Sequence, residues 1–108
     1  MKETNLEYIK HKRVRLKEGS QKKVTGIFKE FFESIKGTVK GLKGSAILEN
    51  MENARETIVL TFWETREDME NHYSKDNKIL SDLVDKVKPM FDEMPERSDY
   101  KIALFEID

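Results

Sequence analysis

Cysteine is absent from this chain of 108 residues, which excludes disulfides, thiolate nucleophiles and thiolate-bound zinc or iron–sulfur centres. That composition suits a reducing compartment. No uninterrupted apolar run approaches membrane-spanning length, and the opening Met1-Lys-Glu-Thr-Asn-Leu-Glu-Tyr8 lacks the apolar core of a signal peptide. A soluble cytoplasmic protein with no membrane partner is expected. A glycine-rich phosphate loop, a nucleotide fingerprint and a local Ser-His-Asp signature are all missing, as are internal repeats and low-complexity segments.

What is present is enough for one domain, residues 1–108, with a single core. Hydrophobic residues make up 37% and charged residues 38%, yet the apolar ones recur with clear periodicity, which argues for folding rather than disorder. Charge is unevenly spread, because residues 1–43 carry 12 Lys or Arg against 5 acids and residues 44–108 carry 8 against 16. The dense run Lys10, His11, Lys12, Arg13, Arg15, Lys17 invites a nucleic-acid reading, but it has no interleaved aromatics to stack on bases. Pairing a basic first strand with acidic later strands neutralises the two halves within the fold. No nucleic-acid partner is expected.

Glu56-Thr-Ile-Val-Leu-Thr-Phe-Trp63-Glu-Thr65 carries the strongest strand signal. Side chains alternate across a strand, so Ile58, Leu60 and Phe62 share one face and Val59, Thr61 and Trp63 the other. Both faces are apolar and need two covers, one from the chain's own helices and one from a second subunit. Residues 7–17 read as strand one, with Tyr8, Lys10, Lys12, Val14 and Leu16 on one face and Ile9, His11, Arg13 and Arg15 on the other. From an N-cap at Ser20, helix one carries the stripe Val24, Ile27, Phe28, Phe31, Ile35 and stops near Gly37.

Ser45–Glu49 is expected as a short second strand forming a hairpin with the third. Thr65 and Asp68 make a variant capping box that opens helix two at Arg66. The helix should break or bend over residues 74–78 before a second stripe, Ile79, Leu80, Leu83, Val87, Met90, Phe91; Pro89 should kink that stripe and Pro95 end it. Tyr100–Ile107 is expected as the last strand, apolar on both faces. The predicted fold is α+β: a ferredoxin-like βαββαβ arrangement, a four-stranded antiparallel sheet with its helices on one face. The open face, carrying Val59 or Phe62 and Leu104 or Phe105, is then covered by a homodimer that stacks two sheets.

Val59-Leu-Thr-Phe-Trp-Glu-Thr-Arg-Glu-Asp-Met-Glu-Asn-His72 resembles the antibiotic biosynthesis monooxygenase family of dimeric α+β barrels, in which a strand ending in an aromatic residue enters a capped helix bearing a His. Trp63, Thr65, Met69 and His72 stand at the matching positions, and Val14-Arg-Leu-Lys-Glu-Gly19 resembles the family's first strand and the glycine before its first helix. The resemblance implies a small oxygenase that oxidises a quinol-like aromatic without metal or flavin, or a haem-degrading enzyme, or a protein without activity. Many members place a Ser and a second His shortly after the first; Lys75 and Asn77 stand there. The Asn, Trp and haem-ligating His of the haem-degrading branch fall on Lys12, His72 and Asp82, which argues against that branch, although His72 remains a possible haem ligand.

His72 is the catalytic candidate, with an ordinary pKa of roughly 6.5 that suits removal of a phenolic proton and leaves an anion able to pass an electron to oxygen. Trp63 and Tyr73 are expected to line the substrate cavity, with Tyr73 offering a hydrogen bond, and Lys12 to stabilise a phenolate or peroxide anion. Each has a plainer role: core packing for Trp63, a packed or solvated helix residue for His72, a snorkelling stem for Lys12. Asp68, His72 and Asp76 fall at i, i+4 and i+8, a spacing that gathers metal ligands only if one helix spans them; no metal site is expected. The leading function is thus a cofactor-independent monooxygenase for a small aromatic or quinol-like compound. The alternative is a non-catalytic module holding a hydrophobic ligand or haem.

Overall fold

The computed structural model describes residues 6–74 and 76–108; the opening residues 1–5 and Lys75 lie outside it. The elements run β1 (Tyr8–Arg15), α1 (Gln21–Ile35), β2 (Leu42–Glu49), β3 (Glu56–Trp63), α2 (Arg66–His72), α3 (Lys78–Val87), a 3-10 turn (Lys88–Met90) and β4 (Glu96–Lys101). The strands form one antiparallel sheet in the order β2-β3-β1-β4, the expected ferredoxin-like α+β arrangement.

Alternation along β3 sends Thr57, Val59, Thr61 and Trp63 into the protein, all buried, and leaves Ile58, Leu60 and Phe62 half-buried on the opposite side. β1 lies in the middle of the sheet and aligns Lys10 with Thr61 and Asp99, and Lys12 with Val59 and Arg97. Val14, Leu16 and Val59 meet Val24 and Phe28 of α1 and Leu83 and Val87 of α3 in one core. The open face carries Ile9, Ile58, Leu60 and Phe62, and Phe105 lays its ring near Phe62 at 6.4 Å. Of the pairs left open by the sequence, Phe62 and Phe105 are the ones that face outward.

Loop chemistry explains the boundaries. α1 ends before Gly37 at φ 75°, a left-handed conformation that costs glycine little. Thr65 caps α2 by accepting the Asp68 amide at 3.0 Å, so half of the capping box forms. The Asp68 side chain instead leans over Gly41, which holds φ 80° and whose carbonyl accepts a hydrogen bond from the Glu64 amide at 2.9 Å. A Gly41→Ala chain therefore has both a strained backbone and a blocked side chain, and should lose more than about 1 kcal/mol in urea unfolding.

Three expectations need correction. The second strand begins at Leu42, with an irregular step between Leu42 and Gly44, because the glycine-rich loop pairs with the end of β3. Pro89 does not kink a continuing helix; α3 stops at Val87 and Pro89 sits inside the 3-10 turn, where its missing N–H costs little. The last strand is Glu96–Lys101, not Tyr100–Ile107. This edge strand is held by backbone bonds to β1 and by ion pairs, Lys10–Asp99 at 2.8 Å and Arg13–Glu96 at 3.6 Å, so it needs no apolar residues. Its pairing ends where β1 begins, and Leu104 and Ile107 emerge 74% and 83% exposed. The break expected over residues 74–78 is present: α2 ends at His72 and α3 begins at Lys78, so Asp76 lies outside the helical row of Asp68 and His72.

Candidate functional site

Trp63 closes β3 with its ring fully buried, and α2 begins three residues later, which folds His72 and Tyr73 back onto that ring. Ring centroids lie 5.2 Å apart for Trp63–His72, 6.0 Å for Trp63–Tyr73 and 4.9 Å for His72–Tyr73. Thr61, on the same face two residues before Trp63, satisfies the polar atoms of both large rings. Its hydroxyl accepts from Trp63 Nε1 at 2.8 Å and shares a 2.8 Å hydrogen bond with Tyr73 Oη. The Lys10 ammonium lies 4.9 Å over the Tyr73 ring, a cation–π contact, while also paired with Asp99.

His72 is 9% exposed, and its tautomer follows from Asn77. The Asn77 amide donates to the His72 carbonyl at 2.8 Å while its Oδ1 accepts the Leu80 amide at 3.3 Å and so caps α3. Those two bonds orient the amide with its N–H groups toward His72, placing Nδ2 3.3 Å from Nδ1. Nδ1 is thus the acceptor, and the neutral ring carries its proton on Nε2. Burial, and then the positive charge of Lys12, hold the His72 pKa below its ordinary value, so the ring is neutral at pH 7. The unfolded chain binds this proton more readily, so His72 withdraws stability as pH falls below roughly 6.5. Burial raises the Tyr73 pKa despite the Thr61 bond, which keeps its phenol protonated.

Lys12 stands apart from the aromatic cluster. It lines a cavity of about 260 Å³ between the sheet and α3, walled by Phe28, Leu83, Val87, Phe91 and Met94. Burial, then the charges of Arg97 and Lys10, lower its pKa to about 8. Because the unfolded lysine keeps its proton to a higher pH, the charged side chain lowers stability near neutrality, and the loss fades as pH rises above about 8.

The structure therefore brings Trp63, His72 and Tyr73 together, whereas Lys12 lines a cavity to whose wall none of those three contributes. Thr61, Asn77 and Arg97 are the additions that sequence reading missed. Thr61 was visible as the same-face neighbour of Trp63. Asn77 was visible as the residue at the family's second His, though its contact with His72 needs the turn after α2. Arg97 lay between Pro95 and Tyr100, in a stretch assigned to no element.

The family model for antibiotic biosynthesis monooxygenases matches residues 8–77. No sequence among the curated proteins matches the chain. Among solved structures, a Nitrosomonas europaea protein described as a candidate antibiotic biosynthesis monooxygenase is 14% identical, with 95% of this chain and 96% of that one covered and a TM-score of 0.78. SnoaB, a cofactor-independent oxygenase from Streptomyces nogalater in a mutant form, is 9% identical over 92% of this chain and 95% of its own, with a TM-score of 0.74. A conserved protein from Methanosarcina mazei is 15% identical, covering 88% and 91%, also with a TM-score of 0.74. At these identities the likeness is one of fold.

Proposed function

The chain belongs to the antibiotic biosynthesis monooxygenase family, and on that premise we propose that it is a small monooxygenase that works without a dedicated cofactor on an aromatic, quinol-like molecule. The observation that carries this reading is a neutral, buried His72, packed on Trp63 and Tyr73 and within electrostatic reach of Lys12, which in turn lines an apolar cavity. In the balanced reaction an activated ring CH₂ loses two hydrogens and gains one oxygen atom of O₂, and the other oxygen leaves as water with those hydrogens. His72 accepts the first proton at Nδ1 once the long Asn77 contact gives way, and Lys12 stabilises the oxyanion that the substrate becomes. Tyr73 orients the substrate oxygen, and Trp63, fully buried, holds the His72 and Tyr73 rings in place.

Two copies assemble through the open sheet face in this proposal, and the protein works in the cytoplasm. No helix among the described residues is long and apolar enough to cross a membrane. A second reading, a module that holds a hydrophobic ligand without turnover, is favoured by the occupied Nδ1 of His72. Haem does not fit these residues as they stand: the His72 ring is hemmed by Trp63 and Tyr73, and Asn77 engages the nitrogen on its near side.

Oxygen uptake over a panel of anthrones, hydroquinones and haem decides between the readings. Turnover on an anthrone or hydroquinone that falls at least about 100-fold in His72→Ala supports the oxygenase. Ligand-induced spectral change without oxygen uptake supports the binding module. Full turnover in the variant removes His72 from the chemistry.

A further inference from the structure

The cavity beside Lys12 has a lining that a neutral aromatic does not require. Three cations reach it, Lys12 from β1, Lys88 from the 3-10 turn and Arg97 from β4, while its one carboxylate, Glu93, is engaged by Arg15 at 3.0 Å. The remaining wall is apolar: Phe28, Leu83, Val87, Phe91, Met94 and Pro95. Lys12 makes no ion pair among the described residues, unlike Lys10, which Asp99 neutralises. Arg97, directly across the ladder from Lys12, adds to the unbalanced positive charge. A largely apolar cavity with an excess of positive charge favours a ligand of opposite sign, which completes an ion pair there.

We propose that this cavity selects an acid: a small molecule with a flat apolar body and one oxyanion, a carboxylate or an ionised phenol or enol, seated against Lys12 and Arg97. The proposal deepens the oxygenase reading, since the same cavity is its substrate site, and it names the charge that the substrate carries on arrival. Size agrees, because about 260 Å³ is just below the ~300 Å³ at which ordinary small-molecule pockets begin, enough for one or two fused rings. The charged groups facing Lys12 are Lys10 on its own strand, Arg97 on β4, Lys88 and Glu93 after α3, and His72 on α2 when protonated; α1 presents Phe28 and β3 presents Val59. Of the two groups whose titration changes near neutrality, His72 is already uncharged, so the proton taken up on ligand binding goes to Lys12. Burial and the charges of Arg97 and Lys10 depress its pKa, and a bound oxyanion would oppose that shift.

Calorimetric titration in two buffers of different ionisation enthalpy tests this at about pH 8, where the free lysine is half-protonated. The probes are 2-naphthoate, its neutral isostere 2-naphthamide, and 4-nitrophenolate as the second oxyanion class. The expected result is binding of at least one anion roughly tenfold or more tighter than the amide, with net proton uptake. Its affinity should then fall by up to roughly tenfold per pH unit above about pH 8. The tighter anion identifies the oxyanion class. Lys12→Met, an apolar replacement of similar length, should abolish the uptake and the preference over the amide, and the exposed Arg97→Gln should weaken both anions while leaving the amide unchanged.

Equal binding of anion and amide, binding without proton uptake, or no binding of any probe at millimolar concentration overturns the proposal. The oxygenase reading is judged separately. Oxygen uptake on a neutral hydroquinone would stand even if every anion failed to bind.

Discussion

Replacing Trp63 with alanine should cost about 3–5 kcal/mol of folding stability, the usual range for deleting a buried aromatic side chain. The indole is 0% exposed and it is the platform on which His72 and Tyr73 pack, so collapse around the cavity would also misplace both rings. Marginal stabilities of about 5–15 kcal/mol leave little reserve against such a loss. Trp63→Phe separates packing from hydrogen bonding, because it keeps a ring but removes the N–H that Thr61 accepts at 2.8 Å. That variant should lose about 1–3 kcal/mol and alter the Thr61–Tyr73 bond, since Thr61 then has one donor fewer. Urea midpoints with unchanged slopes measure both. An alanine variant within about 1 kcal/mol of the parent would show that this ring is not a structural platform.

Leu60→Asp should convert the proposed dimer to a monomer. Leu60 sits at the centre of the open face, between His11 of β1 and Ala46 of β2, and stacking a second sheet over it would bury the new carboxylate without a partner. An unpaired buried charge costs several kcal/mol, equivalent to a loss of more than about 1,000-fold in association. Light scattering at micromolar concentration should therefore give close to the 12.7 kDa of one chain for the variant and twice that for the parent. A parent that runs as a monomer would contradict the assembly outright. Since Leu60 faces away from the helices, a folded monomeric variant that still binds ligand would also show that the cavity is complete within one subunit.

Much of the fold was legible because it rests on local rules. Ile58, Leu60 and Phe62 separate from Val59, Thr61 and Trp63 through strand geometry alone, and the stripe Val24, Phe28, Ile35 turns inward along α1 as its spacing requires. Thr65 capped α2 where its side chain could reach the third amide onward. The last strand was illegible for a related reason. Reading hydrophobicity favours Ile102, Leu104 and Phe105, whereas β4 is Glu-Arg-Ser-Asp-Tyr-Lys, stabilised by ladder bonds to β1 and by charge pairs with Lys10 and Arg13. Backbone pairing at a sheet edge leaves no signature in side-chain polarity.

The candidate site divides along the same line. Trp63, His72 and Tyr73 lie within ten residues, and a strand passing directly into a capped helix has to bring them together. Asn77 on His72, and Arg97 opposite Lys12, depend on where the chain returns after α2 and α3. By itself the sequence determined which side chains face inward, where helices begin and which aromatic cluster forms, because periodicity, capping and glycine conformation act within a few residues. Only the tertiary structure decided the state of those groups: the proton on Nε2 of His72 and the uncompensated charge of Lys12 follow from burial and from neighbours distant along the chain, and electrostatic energy depends on distance in space.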